Sequence, residues 1–115
     1  MQKFIVLYMA PVAEIEGWAK KPEADRKAEE AKMMGEWDAW MLANKAMFNT
    51  TAGVGKTKRV TSAGISDVKN DIMLYSIIDA ESQEAAAEAF KGHPHFVIPN
   101  ASIEISPISP LPGMQ

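Results

Sequence analysis

The chain contains no cysteine and only two histidines, so few of its side chains can bind a transition metal or act as a nucleophilic thiol. Catalytic zinc sites usually have three protein ligands, and we therefore predict neither a resident metal nor a cofactor. The absence of cysteine suits a reducing compartment, which favours a cytoplasmic protein.

The chain also lacks a strong charge of either sign and any long apolar run. Its 12 lysines and arginines against 15 acidic residues leave a net charge of −3, too small to attract nucleic acid or an anionic membrane. No segment approaches the roughly 20 apolar residues of a membrane span, and the basic residues lack an aromatic stacking platform. We therefore expect no nucleic-acid or membrane partner, and one domain spanning residues 1–115.

The apolar pattern predicts four strands and two helices in the order βαββαβ. The predicted strands are residues 4–9, 56–62, 72–78 and 102–108, and the predicted helices are residues 23–48 and 83–90. Residues 11–22 and 63–71 are predicted to be loops, and residues 107–115 an extended tail.

The composition of the four strands predicts their order in the sheet. Strands one and three are the most apolar and suit the centre, whereas strand two is charged and strand four runs into a proline, as edge strands do. This predicts an α+β, ferredoxin-like fold with an antiparallel sheet in the order 4-1-3-2.

The same strands predict a homodimer. Two helices cover only one face of a sheet, yet the central strands present apolar side chains to both faces. An uncovered apolar face of several hundred Å² is unusual on a monomer, and a second copy stacked sheet to sheet would cover it.

Both histidines lie in Phe90-Lys91-Gly92-His93-Pro94-His95-Phe96, directly after the second helix. Pro94 favours an extended His93, so the two imidazoles can face one way. Three roles are open: a metal pair, capping of the preceding helix's carbonyls, or general acid–base chemistry.

Other residues are candidates for a site that contains these histidines. Asp67 could orient a histidine or hold a polar substrate group, and with His93 and His95 it completes the predicted catalytic set. The side chains that could line a small-molecule pocket are mostly aromatic, and they are Tyr8, Trp18, Trp37, Arg59 and Tyr75. The tryptophans at helical spacing also suit a simple packing role.

Long stretches of the sequence resemble the YCII-related, or DGPF-domain, proteins. The similar segments are Arg59–Asn70, Tyr75–Ala80, Ser82–Ala86, His93–Phe96 and Ile103–Pro107, and they span most of the chain. The resemblance implies a dimeric α/β barrel of two ferredoxin-like subunits. Ser62-Ala63-Gly64-Ile65 stands where the DGPF motif is found, and the first helix lacks the histidine of related proteins.

Two functions fit these observations. One is a homodimer that binds a small organic molecule and acts as a cofactor-free enzyme by histidine–aspartate acid–base chemistry. The other is a non-catalytic dimerisation module, in which the histidines only complete the fold.

Overall fold

A computed structural model describes residues 1–112 of the chain. Over these residues the chain forms strands β1 (Gln2–Met9), β2 (Phe48–Gly53), β3 (Thr57–Thr61), β4 (Gly64–Val68), β5 (Ile72–Ala80) and β6 (Ser102–Pro107), and helices α1 (Val12–Ala19), α2 (Glu23–Asn44) and α3 (Gln83–Ala89). Single 3-10 turns occupy Lys45–Met47 and Pro94–Val97. The last three residues of the predicted tail lie outside the described part.

Four strands form one antiparallel sheet in the order β2-β5-β1-β6. Phe4 of β1 pairs with Ile78 of β5, and Val6 pairs with Ser76 of β5 and Ile105 of β6. The predicted α+β class, with one four-stranded antiparallel sheet and helices, is confirmed.

The predicted second strand is wrong in position. Residues 48–53, of which only Phe48 was predicted to belong to the long helix, form the edge strand beside β5. Residues 57–61 instead pair with residues 64–68, part of the predicted loop, in a separate two-stranded hairpin. The error arose because Met47 and Phe48 continue the apolar spacing of the helix, and a short apolar run fits a helix or a strand equally well.

The first predicted loop is also largely helical. Pro11 and Pro22 bracket it, and the carbonyl of Pro11 accepts hydrogen bonds from the amides of Glu14 and Ile15. A proline at a helix start costs little, since the first amides of a helix have no partner within it. Eight of the ten residues between these prolines, Val12–Ala19, therefore form the two turns of helix α1.

The buried core lies on one face of the sheet, here called the closed face. Its fully buried apolar residues are Phe4, Val6, Tyr8, Ile78, Ala80, Ala86 and Phe90. Trp37 and Trp40 of α2 pack against this core, although none of the 22 residues of α2 is itself fully buried.

The opposite face, here called the open face, is apolar but contributes no residue to this core. It carries Ile5 and Leu7 of β1 and their partners Ile77 and Tyr75 of β5, all half-buried. Glu104 of β6 pairs with Leu7 and lies exposed at the side of this face.

Candidate functional site

His93 begins the turn that follows helix α3, and its ring organises that turn. Its backbone is extended, as Pro94 predicts, and its Nδ1 accepts a 2.9 Å hydrogen bond from the amide of His95. The ring therefore caps the following 3-10 turn. The end of the preceding helix accepts a hydrogen bond from the backbone of His93 and not from its ring, since the His93 amide donates to the carbonyl of Phe90.

His95 ties the same turn to the end of strand β1. Its Nε2 donates a 2.8 Å hydrogen bond to the carbonyl oxygen of Met9, and the residue is only 1% exposed. Neither imidazole caps the carbonyls of α3, which was one of the roles considered from the sequence.

Aromatic rings surround His93. Its ring centroid lies 4.4 Å from Trp37, 4.3 Å from Trp40 and 5.4 Å from Tyr8, and it stacks on Phe90 at 5.8 Å. The histidine cluster, as we call it, comprises Tyr8, Trp37, Trp40, Phe90, His93 and His95. Within the described residues, Nε2 of His93 is a buried polar atom without a hydrogen-bond partner.

A chain of three hydroxyl groups runs along the closed face beside this cluster. Tyr8 and Ser76 are joined by a 2.8 Å hydrogen bond, and Ser76 and Thr51 by one of 2.7 Å. Tyr8 and Ser76 are fully buried, whereas Thr51 lies partly exposed. Burial raises the pKa of Tyr8 to about 12, against the lowering effect of its bond to Ser76, so this phenol stays protonated at neutral pH.

Both imidazoles are neutral at pH 7. Burial, and secondarily the repulsion between the two imidazoles when both are protonated, lowers the pKa of His93 to about 4. Burial also lowers the pKa of His95, although backbone hydrogen bonds with Met9 and Ser102 oppose this effect. Because Nδ1 of His93 accepts the amide of His95, the single ring proton resides on Nε2. His93 therefore presents an N–H donor to its aromatic surroundings.

The structure brings Tyr8, Trp37 and the two histidines together but places the other predicted residues elsewhere. Asp67 forms a 2.6 Å ion pair with Lys58 on the exposed hairpin, and Arg59 is exposed on the same hairpin. Among the described residues, no hydrogen bond connects Asp67 to either histidine.

The remaining two aromatic candidates lie outside the histidine cluster. The indole N–H of Trp18 donates to the carboxylate of Glu29 at 2.7 Å, and the Arg26 guanidinium lies 6.0 Å from its ring. Tyr75 lies on the open face of the sheet, opposite to Tyr8.

Sequence reasoning did not identify Ser76 and Thr51 as members of this polar network. Ser76 is the one serine or threonine between Ile72 and Ile78, and strand alternation places it on the same face as Ile78. A polar residue predicted to point into a core needs a hydrogen-bond partner, which was the available signal.

A groove of about 810 Å³ lies away from the histidine cluster, between helix α1 and the β3–β4 hairpin. Ile15, Val54 and Met73 are among its apolar lining residues, and Lys56 and Asp67 are among its charged ones. An ion pair of 3.0 Å between Lys69 and Glu16, both groove residues, links the hairpin's base to α1.

The described part of the chain contains neither a cluster of metal-ligating side chains nor a membrane-spanning helix. In residues 1–112, no three histidine or acidic side chains converge in the manner of a metal site. None of the helices in this part of the chain has the length and apolar character needed to cross a bilayer.

The fold is similar to that of an enzyme of known structure. The chain aligns over its full length with the whole of 5-chloro-2-hydroxyhydroquinone dehydrochlorinase (TftG) from Burkholderia phenoliruptrix AC1100, solved in complex with 2,5-dihydroxybenzoquinone. The TM-score is 0.53 and the sequence identity is 13%, so the likeness concerns the fold alone. No protein-family model matches the chain, and a search of curated proteins finds no significant relative.

Proposed function

We propose that the protein binds a small organic molecule on the closed face of its sheet, at the histidine cluster, and that it does so as a homodimer without a cofactor. The observation that carries this proposal is Nε2 of His93. It is a donor in a residue only 2% exposed, with no hydrogen-bond partner among the described residues. A buried donor left unsatisfied costs about 1–3 kcal/mol, so an oxygen acceptor brought by a ligand would bind favourably there.

The surroundings of this donor indicate the chemistry of the ligand. Trp37, Trp40 and Phe90 offer flat apolar surfaces within 6 Å of the imidazole. A planar molecule with a carbonyl or hydroxyl oxygen would stack on these rings and accept the N–H. 2,5-dihydroxybenzoquinone, the molecule bound in the TftG structure, has both features and is a suitable first probe.

Acid–base chemistry follows from the same donor. A neutral imidazole N–H in a desolvated site can stabilise, or protonate, an oxygen atom that gains negative charge during a reaction. The hydroxyl chain from Tyr8 to Thr51 lies beside it and leads to a partly exposed residue. The predicted pairing of Asp67 with a histidine has no hydrogen bond in support here, so the proposed chemistry rests on His93.

Helix α2 controls access to this site. The helix contributes Trp37 and Trp40 to the cluster, yet neither residue is fully buried and no other residue of the helix is. A ligand would therefore reach His93 when α2 moves outward. The ligand would then occupy part of the surface that the two indoles bury against the core.

The homodimer is supported by the amount of surface that the chain exposes. Its accessible area is 8025 Å², whereas a compact monomer of this mass exposes about 6,200 Å². Its radius of gyration of 16.3 Å likewise exceeds the roughly 13 Å expected for this length. Stacking two open faces would produce the dimeric α/β barrel of ferredoxin-like subunits that the YCII resemblance implies.

Binding is tested by titrating the protein with 2,5-dihydroxybenzoquinone and a panel of small phenols and cyclic ketones, with tryptophan fluorescence as the readout. The background variant Trp18→Phe removes the only indole outside the cluster. We expect His93→Asn to weaken binding at least about tenfold, since a hydrogen bond to a buried donor is lost. Asn is the matched choice because its oxygen can still cap the 3-10 turn.

An alternative function is a non-catalytic dimerisation module. The observation in its favour is the tight burial of the cluster, in which Tyr8 and His95 are at most 1% exposed. If the wild-type dimer binds no member of the panel, the module is supported and the proposed site is contradicted. The same conclusion follows if wild type and His93→Asn bind the panel with equal affinity. Unchanged binding and turnover in Asp67→Asn would remove Asp67 from the site.

A further inference from the structure

The β3–β4 hairpin, residues 57–68, stands apart from the rest of the fold and is here called the arm. Its two strands pair only with each other, and the four-stranded sheet does not include them. Within the described chain, the hydrogen bonds and ion pairs of side chains 58–67 stay inside the arm. Contacts to the body occur at its base, where Asn70 donates to Thr57 at 3.1 Å and Lys69 pairs with Glu16.

The outer part of the arm carries an exposed apolar pair. Val60 and Ile65 are directly opposite each other across the two strands, so their side chains share one side of the hairpin. They are 74% and 70% exposed. The ion pair between Lys58 and Asp67 lies on the same side, two residues nearer the base.

Local sequence features account for the turn of this arm, whereas its apolar pair remains exposed. Gly64 has a φ of 142°, which favours glycine, and it follows the two-residue turn Ser62-Ala63. A two-stranded hairpin is at best marginally stable in water unless it packs on other structure. An apolar pair at the far end of such a hairpin therefore indicates a surface that is covered in the assembled protein.

We propose that the apolar side of the arm, formed by Val60 and Ile65, docks on the open sheet face of a second copy of this chain. The inference rests on the proposed homodimer and assigns it a second contact at the border of the stacked sheets. The docking surface on the partner is the part of the open face formed by Leu7 and Tyr75, and sheet stacking covers the part formed by Ile5 and Ile77.

The surface area favours a second copy as the occupant. The chain exposes about 1,800 Å² more than a compact monomer of its mass, whereas a standard interface buries about 800 Å² per partner. A stack of two sheets and a crossing pair of arms would use this larger area. In a two-fold symmetric dimer each chain offers both the arm and the face, so both uncovered surfaces are covered at once.

Sedimentation equilibrium measures the contribution of the arm. The double variant Val60→Thr, Ile65→Thr keeps β-branched side chains, and hence strand propensity, while it removes apolar contact. We expect its dimer dissociation constant to rise at least about tenfold. The matched control is Leu42→Gln, at a residue of α2 that is 69% exposed and lies outside the proposed contact.

Cross-linking then tests the position of the arm independently of its stability. The chain has no native cysteine, so Ile65→Cys and Leu7→Cys introduce unique thiols. We expect a short bifunctional maleimide to link the two variants when they are mixed, and not when each is mixed with Leu42→Cys.

The outcomes separate the arm from the dimer itself. A wild-type dimer whose dissociation constant is the same in the double variant, without arm-to-face cross-links, would reject the arm and leave the proposed homodimer standing. A wild-type monomer would reject both. Weakened association in Leu42→Gln equal to that in the arm variant would also contradict the proposal, because the effect would not be specific to the arm.

Discussion

The two faces of the sheet differ far more in their surroundings than in their amino acids. Along β1, Phe4, Val6 and Tyr8 point to the closed face and are at most 1% exposed, while Ile5 and Leu7 point to the open face and are half-buried. Both sets are apolar. Apolar side chains on a strand therefore indicate that a face is buried but not what buries it. The closed face is buried by the rest of the same chain, and we propose that the open face is buried by a second chain.

The polar groups of the two faces differ as well. On the closed face, buried polar residues such as Ser76 and His95 are bonded to protein atoms, and Nε2 of His93 is the exception in the described residues. On the open face polar groups lie at the border, as in the ion pair of Lys3 with Asp79 at 3.0 Å near one end of the two central strands. This difference agrees with our proposals, which assign chemistry to the closed face and association to the open one.

Alanine substitutions on β1 should separate the two faces. We expect Tyr8→Ala to lower the free energy of unfolding by about 3–5 kcal/mol at any protein concentration, because it leaves a cavity in the core. Leu7→Ala should instead act through association, so its effect should fade as the protein is diluted until wild type is monomeric. Urea denaturation at two protein concentrations measures both.

Equal behaviour of the two variants would contradict the proposed difference between the two faces. A concentration-independent loss for Leu7→Ala as large as that for Tyr8→Ala would mean that the open face is covered within one chain.

Lowering the pH should destabilise the folded protein through His93 on the closed face. Its pKa is about 4 in the folded protein and 6.5 without burial, so the unfolded chain takes up a proton first as the pH falls. The free energy of unfolding should therefore decrease from pH 6.5 toward pH 4, by at most about 1.4 kcal/mol per pH unit for this group, and be independent of it above pH 6.5.

His93→Asn should flatten this part of the pH profile without abolishing it, because burial also lowers the pKa of His95. Thermal unfolding of wild type and variant between pH 4 and pH 8 provides the measurement. Identical profiles would show that His93 is already accessible to protons in the folded state.

The closed face was largely predictable from the sequence because its signals are local. Alternation in β1 and β5 and the helical spacing of Trp37 and Trp40 each mark one buried side. Chain connectivity then brings both histidines near them, since Pro94 and the end of α3 fix the turn. The hydroxyl chain was not predicted, because its bonds depend on the register that pairs Val6 and Thr51 with Ser76.

The arm and the edge strand could not be predicted in the same way. Residues 57–61 have the stronger strand-forming composition, since Asn49, Ala52 and Gly53 are unfavourable in strands, yet residues 48–53 are the ones that pair with β5 and join the sheet. Asp67 was predicted to lie in a loop, residues 63–71, and to be able to orient a histidine, whereas it lies in strand β4 and pairs with Lys58 along the arm. Pairing between residues that are distant in the sequence therefore decides which segment joins the sheet, and the local sequence pattern does not contain this information.

The molar mass of the wild-type protein in solution tests the central claim, that the open face is an interface, most directly. Light scattering at micromolar concentration should give twice the chain mass of 12.6 kDa, falling toward a single chain in Leu7→Asp, which places a charge in the proposed contact. A wild-type mass of one chain at that concentration would contradict the account.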